Sequence, residues 1–88
     1  MNPIDPPPLA DATLDVTGLN CPVPVLRTKL ALNRLQNGQV LRVLATDPLT
    51  VVDFRVFCAR GRHELLQLSE KEGVYHLWIR KLGSAPAP

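Results

Sequence analysis

The positions of the prolines set the first limits on how this chain can fold. Nine prolines occur in 88 residues, but only Pro22, Pro24 and Pro48 lie between residues 12 and 81. Proline lacks a backbone N–H, so it interrupts helices and central strands but is well tolerated in the first turn of a helix. These three prolines therefore predict two helix starts, one at Pro22 and one at Asp47-Pro48, where Asp47 is the expected N-cap.

The hydrophobic pattern around these points predicts the remaining elements. Strands are expected over about 13–16, 40–45, 63–68 and 74–81, and helices over about 22–36 and 48–60. The residues expected to face the core are Val25, Thr28, Leu32 and Leu35 on the first helix, and Val51, Phe54, Phe57 and Cys58 on the second. The order β-α-β-α-β-β predicts an α/β two-layer sandwich, a four-stranded mixed sheet with two helices on one face.

The two ends of the chain have a different composition from the middle. Residues 1–11 contain four prolines without hydrophobic periodicity, and 82–88 are similarly irregular. We expect flexible tails at 1–11 and 82–88, with one folded domain over 12–81.

Cys21 stands where the first strand and turn give way to the first helix. Gly18 provides the turn, and Pro22 and Pro24 follow the cysteine. With Pro22 at the first helical position, Cys21 is predicted to be the N-cap, where the helix dipole favours a thiolate. We therefore expect an exposed thiol that is more acidic than a free cysteine. The alternative is that Cys21 is only a small apolar residue that precedes a helix.

A second apolar stripe on the first helix begins beside this cysteine. Val23, Leu26 and Leu30 form the stripe, with Arg27 next to it. Exposed apolar clusters on small domains often mark partner sites, so the stripe is a candidate docking surface. Burial of the same residues at the edge of the core is the alternative.

Composition excludes several classes of function. Cys21 and Cys58 lie too far apart in sequence for a CxxC pair or a zinc cluster, so no metal site is expected. A formal net charge of +2 is too small to indicate direct nucleic-acid binding. No apolar run is long enough for a membrane helix, and we expect a cytoplasmic protein, most simply a monomer.

Three side chains of the third and fourth strands carry further expectations. His63 and His76 are expected to be surface residues, since nothing in the sequence places either as a base for Cys21. Trp78 alternates with the apolar residues of its strand, so it is expected on the open face of the sheet, where it could mark a contact surface.

Taken together, several short motifs resemble those of the TusA/SirA-type sulfur carrier proteins, whose signature is C-P-x-P after a Gly-Leu turn. The matching residues are Leu14-Asp15, Gly18-Leu19, Cys21-Pro22-Val23-Pro24, Asp47-Pro48, Asp53, Phe57-Cys58, His63-Glu64-Leu65 and Ile79-Arg80-Lys81. The resemblance covers about residues 13–81. Some members of the family have an acidic residue between the two prolines, where this chain has Val23.

The resemblance implies a function for Cys21. It would carry sulfane sulfur as a covalent persulfide, with no other cofactor, as a carrier rather than a stand-alone enzyme. The implied partners are a cysteine desulfurase or rhodanese-type donor and a downstream acceptor protein. The best-known relay of this family ends in 2-thiolation of the tRNA wobble uridine, and other relatives serve dissimilatory sulfur oxidation or molybdenum cofactor synthesis.

Two other classes of function stay open on the residues alone. Cys21 and Cys58 could form a redox pair if their Cα atoms lay within about 4.4–6.8 Å. Alternatively, the chain could be a non-catalytic interaction or regulatory module in which the thiol is incidental.

Overall fold

The computed structural model describes residues 8–61 and 63–82 and contains the six predicted elements in the predicted order. They are β1 (Ala12–Asp15), α1 (Val23–Asn33), β2 (Val40–Ala45), α2 (Thr50–Gly61), β3 (Glu64–Lys71) and β4 (Val74–Arg80). One sheet contains all four strands in the order β1-β2-β4-β3. β1 and β2 are parallel, whereas β4 runs antiparallel to both β2 and β3. The predicted mixed sheet is therefore confirmed.

Both helices pack on the same face of the sheet, as the hydrophobic pattern predicted. Thr28 and Leu32 of α1 and Phe54 and Cys58 of α2 are buried. They meet the apolar side chains of β2 and β4, among them Val43, which alternate with residues on the other face. This one-sided core fixes the register of the strands, because a slip by one residue would expose every core side chain.

The first helix is shorter than the sequence predicts. It ends at Asn33, three residues before the expected Gln36. The following turn is tied to the end of β4: the Gly38 N–H donates to the Lys81 carbonyl at 2.6 Å, and the Lys81 ammonium donates to the Leu35 carbonyl at 2.7 Å. These tertiary hydrogen bonds replace the last helical turn.

The hairpin of β3 and β4 closes more tightly than expected. A loop was predicted over 70–73, but the strands extend to Lys71 and resume at Val74. Only Glu72 and Gly73 form the turn, both with positive φ, at 53° and 81°. This is the geometry of a two-residue type I′ turn, whose twist matches that of the strands it joins.

Trp78 does not offer the exposed contact surface that the sequence indicated. It lies on the sheet face opposite the helices, as predicted, but is only 5% exposed. The Arg42 guanidinium carbon lies 5.5 Å from the centre of the indole ring, and His76 stacks beside it. Neighbouring long side chains on a sheet face can thus cover a large ring without a second layer.

The predicted tails fall mostly outside the described residues, which exclude 1–7 and 83–88. At the inner edge of the first tail, Asp11 is bonded to β2. Its N–H donates to the Val40 carbonyl at 2.8 Å, and its carboxylate accepts the Val40 N–H at 2.8 Å. The contacts of the sheet therefore extend one residue beyond the predicted boundary at 12.

Candidate functional site

Cys21 is positioned by a tight turn between β1 and α1. Gly18 has a φ of 79°, a conformation that favours glycine, and its N–H donates to Thr46 Oγ1 at 2.8 Å. Asp15 accepts hydrogen bonds from both the N–H and the hydroxyl of Thr17. The turn is thus fixed against the end of β2, and it presents Cys21 in front of α1.

Two carboxylates, one before α2 and one in its first turn, hold Cys21 in place. The Cys21 N–H donates to Asp47 Oδ2 at 2.7 Å, and its thiol donates to Asp53 Oδ2 at 2.6 Å. Asp47 begins the turn that leads into α2, and Asp53 is in the first turn of that helix. Cys21 is exposed, as predicted, so its sulfur is both fixed in position and accessible.

The prediction that Cys21 is the helix N-cap is wrong. Pro22 occupies the cap, and α1 begins at Val23. The Val23 N–H donates to the Asn20 carbonyl at 2.9 Å rather than to the sulfur. Pro24 lies in the first turn with no N–H of its own and is buried, so both prolines do shape the helix start, as expected.

The prediction that the Cys21 thiol is more acidic than a free cysteine is also wrong. The hydrogen bond to Asp53 holds the pKa of Cys21 above its ordinary value, and desolvation by neighbouring atoms and the negative charges of Asp53 and Asp47 act in the same direction. Asp47 remains ionised, because the N–H groups of Cys21 and Leu49 lower its pKa. Two nearby carboxylates therefore act against the dipole of a helix that begins two residues later.

A groove runs from Cys21 along the space between the two helices. Its volume is about 580 Å³, and apolar side chains such as Val25 and Phe57 alternate with the cations Lys29 and Arg60. His63 lies in the same groove, half-buried against the Phe57 ring, with ring centres 5.5 Å apart. The prediction that His63 is a simple strand surface residue is therefore wrong.

The second apolar stripe of α1 is exposed. Val23, Leu26 and Leu30 are 37%, 55% and 63% accessible, which excludes burial at the core edge in this chain. Val52 and Val56 on α2 are also exposed, as is Leu49 directly before that helix. We call these six residues the apolar rim. Five of them lie on the two helices that enclose the groove and Leu49 lies directly before α2; Val56 also lines the groove.

Cys58 has the opposite surroundings. It is unpaired and packs in the core, where burial raises its pKa to about 11. Cys21 is likewise free. A buried and protonated thiol is a poor partner for disulfide exchange, so the surroundings of Cys58 oppose the redox-pair hypothesis.

Sequence reasoning missed the two carboxylates that contact Cys21. Asp47 was assigned only the role of N-cap to a helix that starts at Pro48, and Asp53 only a place in the family motif. The helix starts two residues later, at Thr50, and the Asp47 carboxylate instead accepts the Leu49 N–H at 3.0 Å in the turn before it. A topological signal was available: β1 and β2 are parallel neighbours, so the loops after them lie at the same edge of the sheet. That rule places Asp47 close to Cys21 even without a structure.

Within 8–61 and 63–82, no group of three or more His, Cys, Asp or Glu side chains is arranged to hold a metal ion. The helices of this part of the chain are also too short and too polar to cross a membrane.

Comparisons with known proteins give one consistent family. The family model of sulfurtransferase TusA matches residues 12–81. The sulfur carrier protein TusA of Allochromatium vinosum is 48% identical over 71 residues, which cover 81% of this chain and 93% of that protein. The TusA protein of Pseudomonas entomophila is 52% identical over 71 residues, covering 81% and 89%.

A solved structure agrees with this result. The crystal structure of a SirA-like protein from Desulfitobacterium hafniense superposes with a TM-score of 0.72 at 28% sequence identity, covering 82% of this chain and 99% of the other. Sequence and fold therefore give the same answer, and the chain belongs to the TusA family of sulfur carrier proteins.

Proposed function

We propose that Cys21 accepts sulfane sulfur as a persulfide and passes it to an acceptor protein, in a relay that ends in 2-thiolation of tRNA. The observation that carries this proposal is the exposed Cys21 thiol, fixed at both its N–H and its sulfur by Asp47 and Asp53. A carrier needs an atom that two different proteins can reach in turn, and exposure provides that access.

We expect loading to begin from the thiol that is hydrogen-bonded to Asp53. Cys21 gives up the thiol proton that it shares with Asp53, the proton passes to solvent, and the resulting thiolate attacks the outer sulfur of the donor persulfide. The bond between the two donor sulfurs breaks, and the donor leaves as a thiolate that takes up the proton. Cys21 then carries the additional sulfur, and no net oxidation or reduction occurs. Unloading to the acceptor is the same exchange in the opposite direction.

The apolar rim is the surface that we assign to the protein donor. The helices below it carry four cations, Arg27, Lys29, Arg55 and Arg60, and one carboxylate, Asp53, which is already bonded to Cys21. We therefore expect a cysteine desulfurase or rhodanese-type donor to contact this surface with apolar side chains surrounded by acidic ones.

Sulfur loading tests the proposal. The chain is incubated with a cysteine desulfurase and cysteine, and its intact mass is measured. We expect the mass of one sulfur atom to be added to the wild type and to Cys58→Ala, and none to Cys21→Ser. Loading of Cys21→Ser, or none of the wild type, would contradict the proposal.

A second experiment tests the docking surface. Leu30→Glu places a negative charge on the apolar rim, and we expect it to slow loading by about tenfold, equivalent to about 1.4 kcal/mol. Leu9→Glu is the matched control, because Leu9 is 91% exposed and lies outside both helices. Equal loading rates for the two variants would show that the apolar rim is not part of the docking surface.

The pathway is tested in cells that lack their own sulfur carrier. We expect the wild-type chain to restore 2-thiouridine in tRNA nucleosides, measured by mass spectrometry, and Cys21→Ser to fail. Sulfur loading in vitro without restoration in cells would favour the same chemistry in a different relay, such as sulfur oxidation or molybdenum cofactor synthesis.

A further inference from the structure

A second cavity lies on the sheet face opposite the helices, away from Cys21. It has a volume of about 600 Å³, and residues 8–10 form part of its wall. The other lining side chains come from all four strands: Thr13, Arg42, Ser69, Lys71, His76 and Trp78. None of the residues that line the groove beside Cys21 lines this cavity.

The guanidinium of Arg42 is held in a fixed orientation in this cavity. Its Nη2 donates to His76 Nδ1 at 2.9 Å, and its carbon lies 5.5 Å from the centre of the Trp78 ring. His76 and Trp78 stack with ring centres 6.1 Å apart. The Arg42 Nε is buried and has no hydrogen-bond partner among the described residues. Arg42 is therefore preorganised by two rings rather than by a carboxylate.

The remaining polar side chains of the cavity are also hydrogen-bond donors. Lys71 supplies an ammonium, and Thr13 and Ser69 supply hydroxyl groups. Burial, followed by the positive charges of Arg42 and Lys71, lowers the pKa of His76, which is consistent with a positive potential inside the cavity.

No carboxylate lines the cavity among residues 8–61 and 63–82. Three acidic side chains of β1, β3 and the segment before β1 are engaged elsewhere: Asp11 with Val40, Asp15 with Thr17, and Glu64 with Arg80. A set of donors with an ordered arginine and no competing acid selects anions, and a planar guanidinium matches the oxygens of a phosphate group.

We propose that this cavity binds a phosphate group, either as the free anion or as the end of a small phosphate monoester. Arg42 and Lys71 neutralise its charge, and Thr13 and Ser69 donate hydrogen bonds to its oxygens. The cavity is much larger than one phosphate ion, which leaves room for the organic part of a monoester. The site depends on neither Cys21 nor sulfur transfer.

Trp78 is the only tryptophan of the chain, so its fluorescence reports on this cavity. The full chain is titrated with inorganic phosphate and, separately, with ribose 5-phosphate, at an ionic strength held constant with chloride. We expect a saturable change with at least one of the two ligands. Saturation with phosphate alone identifies the free anion as the ligand, and tighter binding of ribose 5-phosphate identifies a monoester.

Charge-matched variants decide the result. We expect Lys71→Gln, at an exposed position, to weaken binding by about tenfold, and Lys29→Gln on the opposite layer to bind as the wild type does. A signal that does not saturate, or equal affinities of Lys71→Gln and the wild type, would overturn the proposal. Either outcome would leave the proposal of sulfur loading on Cys21 unchanged, because that proposal rests on other residues.

Discussion

The outer and inner surfaces of the helix layer each carry one cysteine and one apolar stripe of α1. On the solvent side, Cys21 is exposed and bonded to carboxylates, and Leu26 and Leu30 of α1 are exposed as well. On the inner surface, Cys58 is buried among apolar side chains, and Leu32 packs against the same core. Residue types are therefore shared by the two surfaces, whereas solvent access and polar partners differ.

This difference shows what makes one thiol a candidate carrier and the other a core residue. The pKa of each cysteine lies above its ordinary value, but for different reasons: for Cys21 a hydrogen bond to Asp53 comes first, and for Cys58 burial alone. The hydrogen bond to Asp53 lies at the surface and can break when a donor arrives, whereas the low polarity around Cys58 cannot be relieved without opening the core. Solvent access and a surface hydrogen bond, rather than a low pKa at rest, distinguish Cys21 from Cys58.

The largest expected effect is the difference in alkylation rate between the two thiols. Cys58 should react with iodoacetamide at least about 1000-fold more slowly than Cys21, because its reaction requires opening of a core with a stability of about 5 kcal/mol or more. Cys21→Ser and Cys58→Ala each leave a single thiol, and intact mass follows both reactions. Similar alkylation rates in the two variants would contradict the difference in access between Cys21 and Cys58.

Substitutions in the two apolar stripes of α1 should differ in their effect on the free energy of unfolding. Leu32→Ala should lower the free energy of unfolding by about 2–5 kcal/mol, since it leaves a cavity in the core. Leu30→Ala should change it by less than about 0.5 kcal/mol, because the side chain is exposed. Urea unfolding measures both values, and a similar loss in the two variants would show that the outer stripe is also part of the core.

A smaller effect is expected when Asp53, which accepts the hydrogen bond of the Cys21 thiol, loses its charge. Asp53→Asn removes the charge that holds the pKa of Cys21 above its ordinary value. The thiolate fraction near pH 7, and with it the alkylation rate, should rise by about 3–10-fold. Glu70→Gln, on β3, is the control for the loss of one negative charge. A rate unchanged or lowered in Asp53→Asn would show that Asp53 does not restrain the thiol.

The smallest expected effect is a dependence of stability on pH through the two histidines. Burial, with a contribution from nearby cations, lowers the pKa of both His63 and His76 from the ordinary value of 6.5. The unfolded chain therefore binds protons more readily, so their contribution to stability is complete above pH 6.5 and is lost as the pH falls through the lowered values.

We expect Tm to fall by a few degrees between pH 7.5 and pH 5, and His63→Gln and His76→Gln each to reduce that change. His63 lies in the groove between the helices and His76 on the opposite sheet face, so the two variants report on separate regions. A Tm that is constant or rises towards pH 5 would contradict these shifts.

Local pattern was sufficient to predict the elements and the faces of the helices. The spacing of Thr28 and Leu32, and of Phe54 and Cys58, identified the buried faces because the helical period is regular and the core is one-sided. Helix ends were less accurate: the last predicted turn of α1 is replaced by bonds to Lys81, which is distant in sequence.

The polar contacts of the site could not be predicted from the local sequence pattern. Cys21 and Asp53 are 32 residues apart, and their hydrogen bond depends on how α2 is placed against the first turn. The burial of Trp78 depends in the same way on Arg42 of a neighbouring strand. Sequence patterns identify which side chains leave the core, but not which polar partners they then meet.

Localisation of the transferred sulfur tests the central claim most directly. After loading with a cysteine desulfurase and cysteine, the chain is alkylated, digested and analysed by tandem mass spectrometry. We predict one additional sulfur atom on the peptide that contains Cys21 and none on the peptide that contains Cys58. Sulfur on the Cys58 peptide, or on neither peptide, would contradict the account.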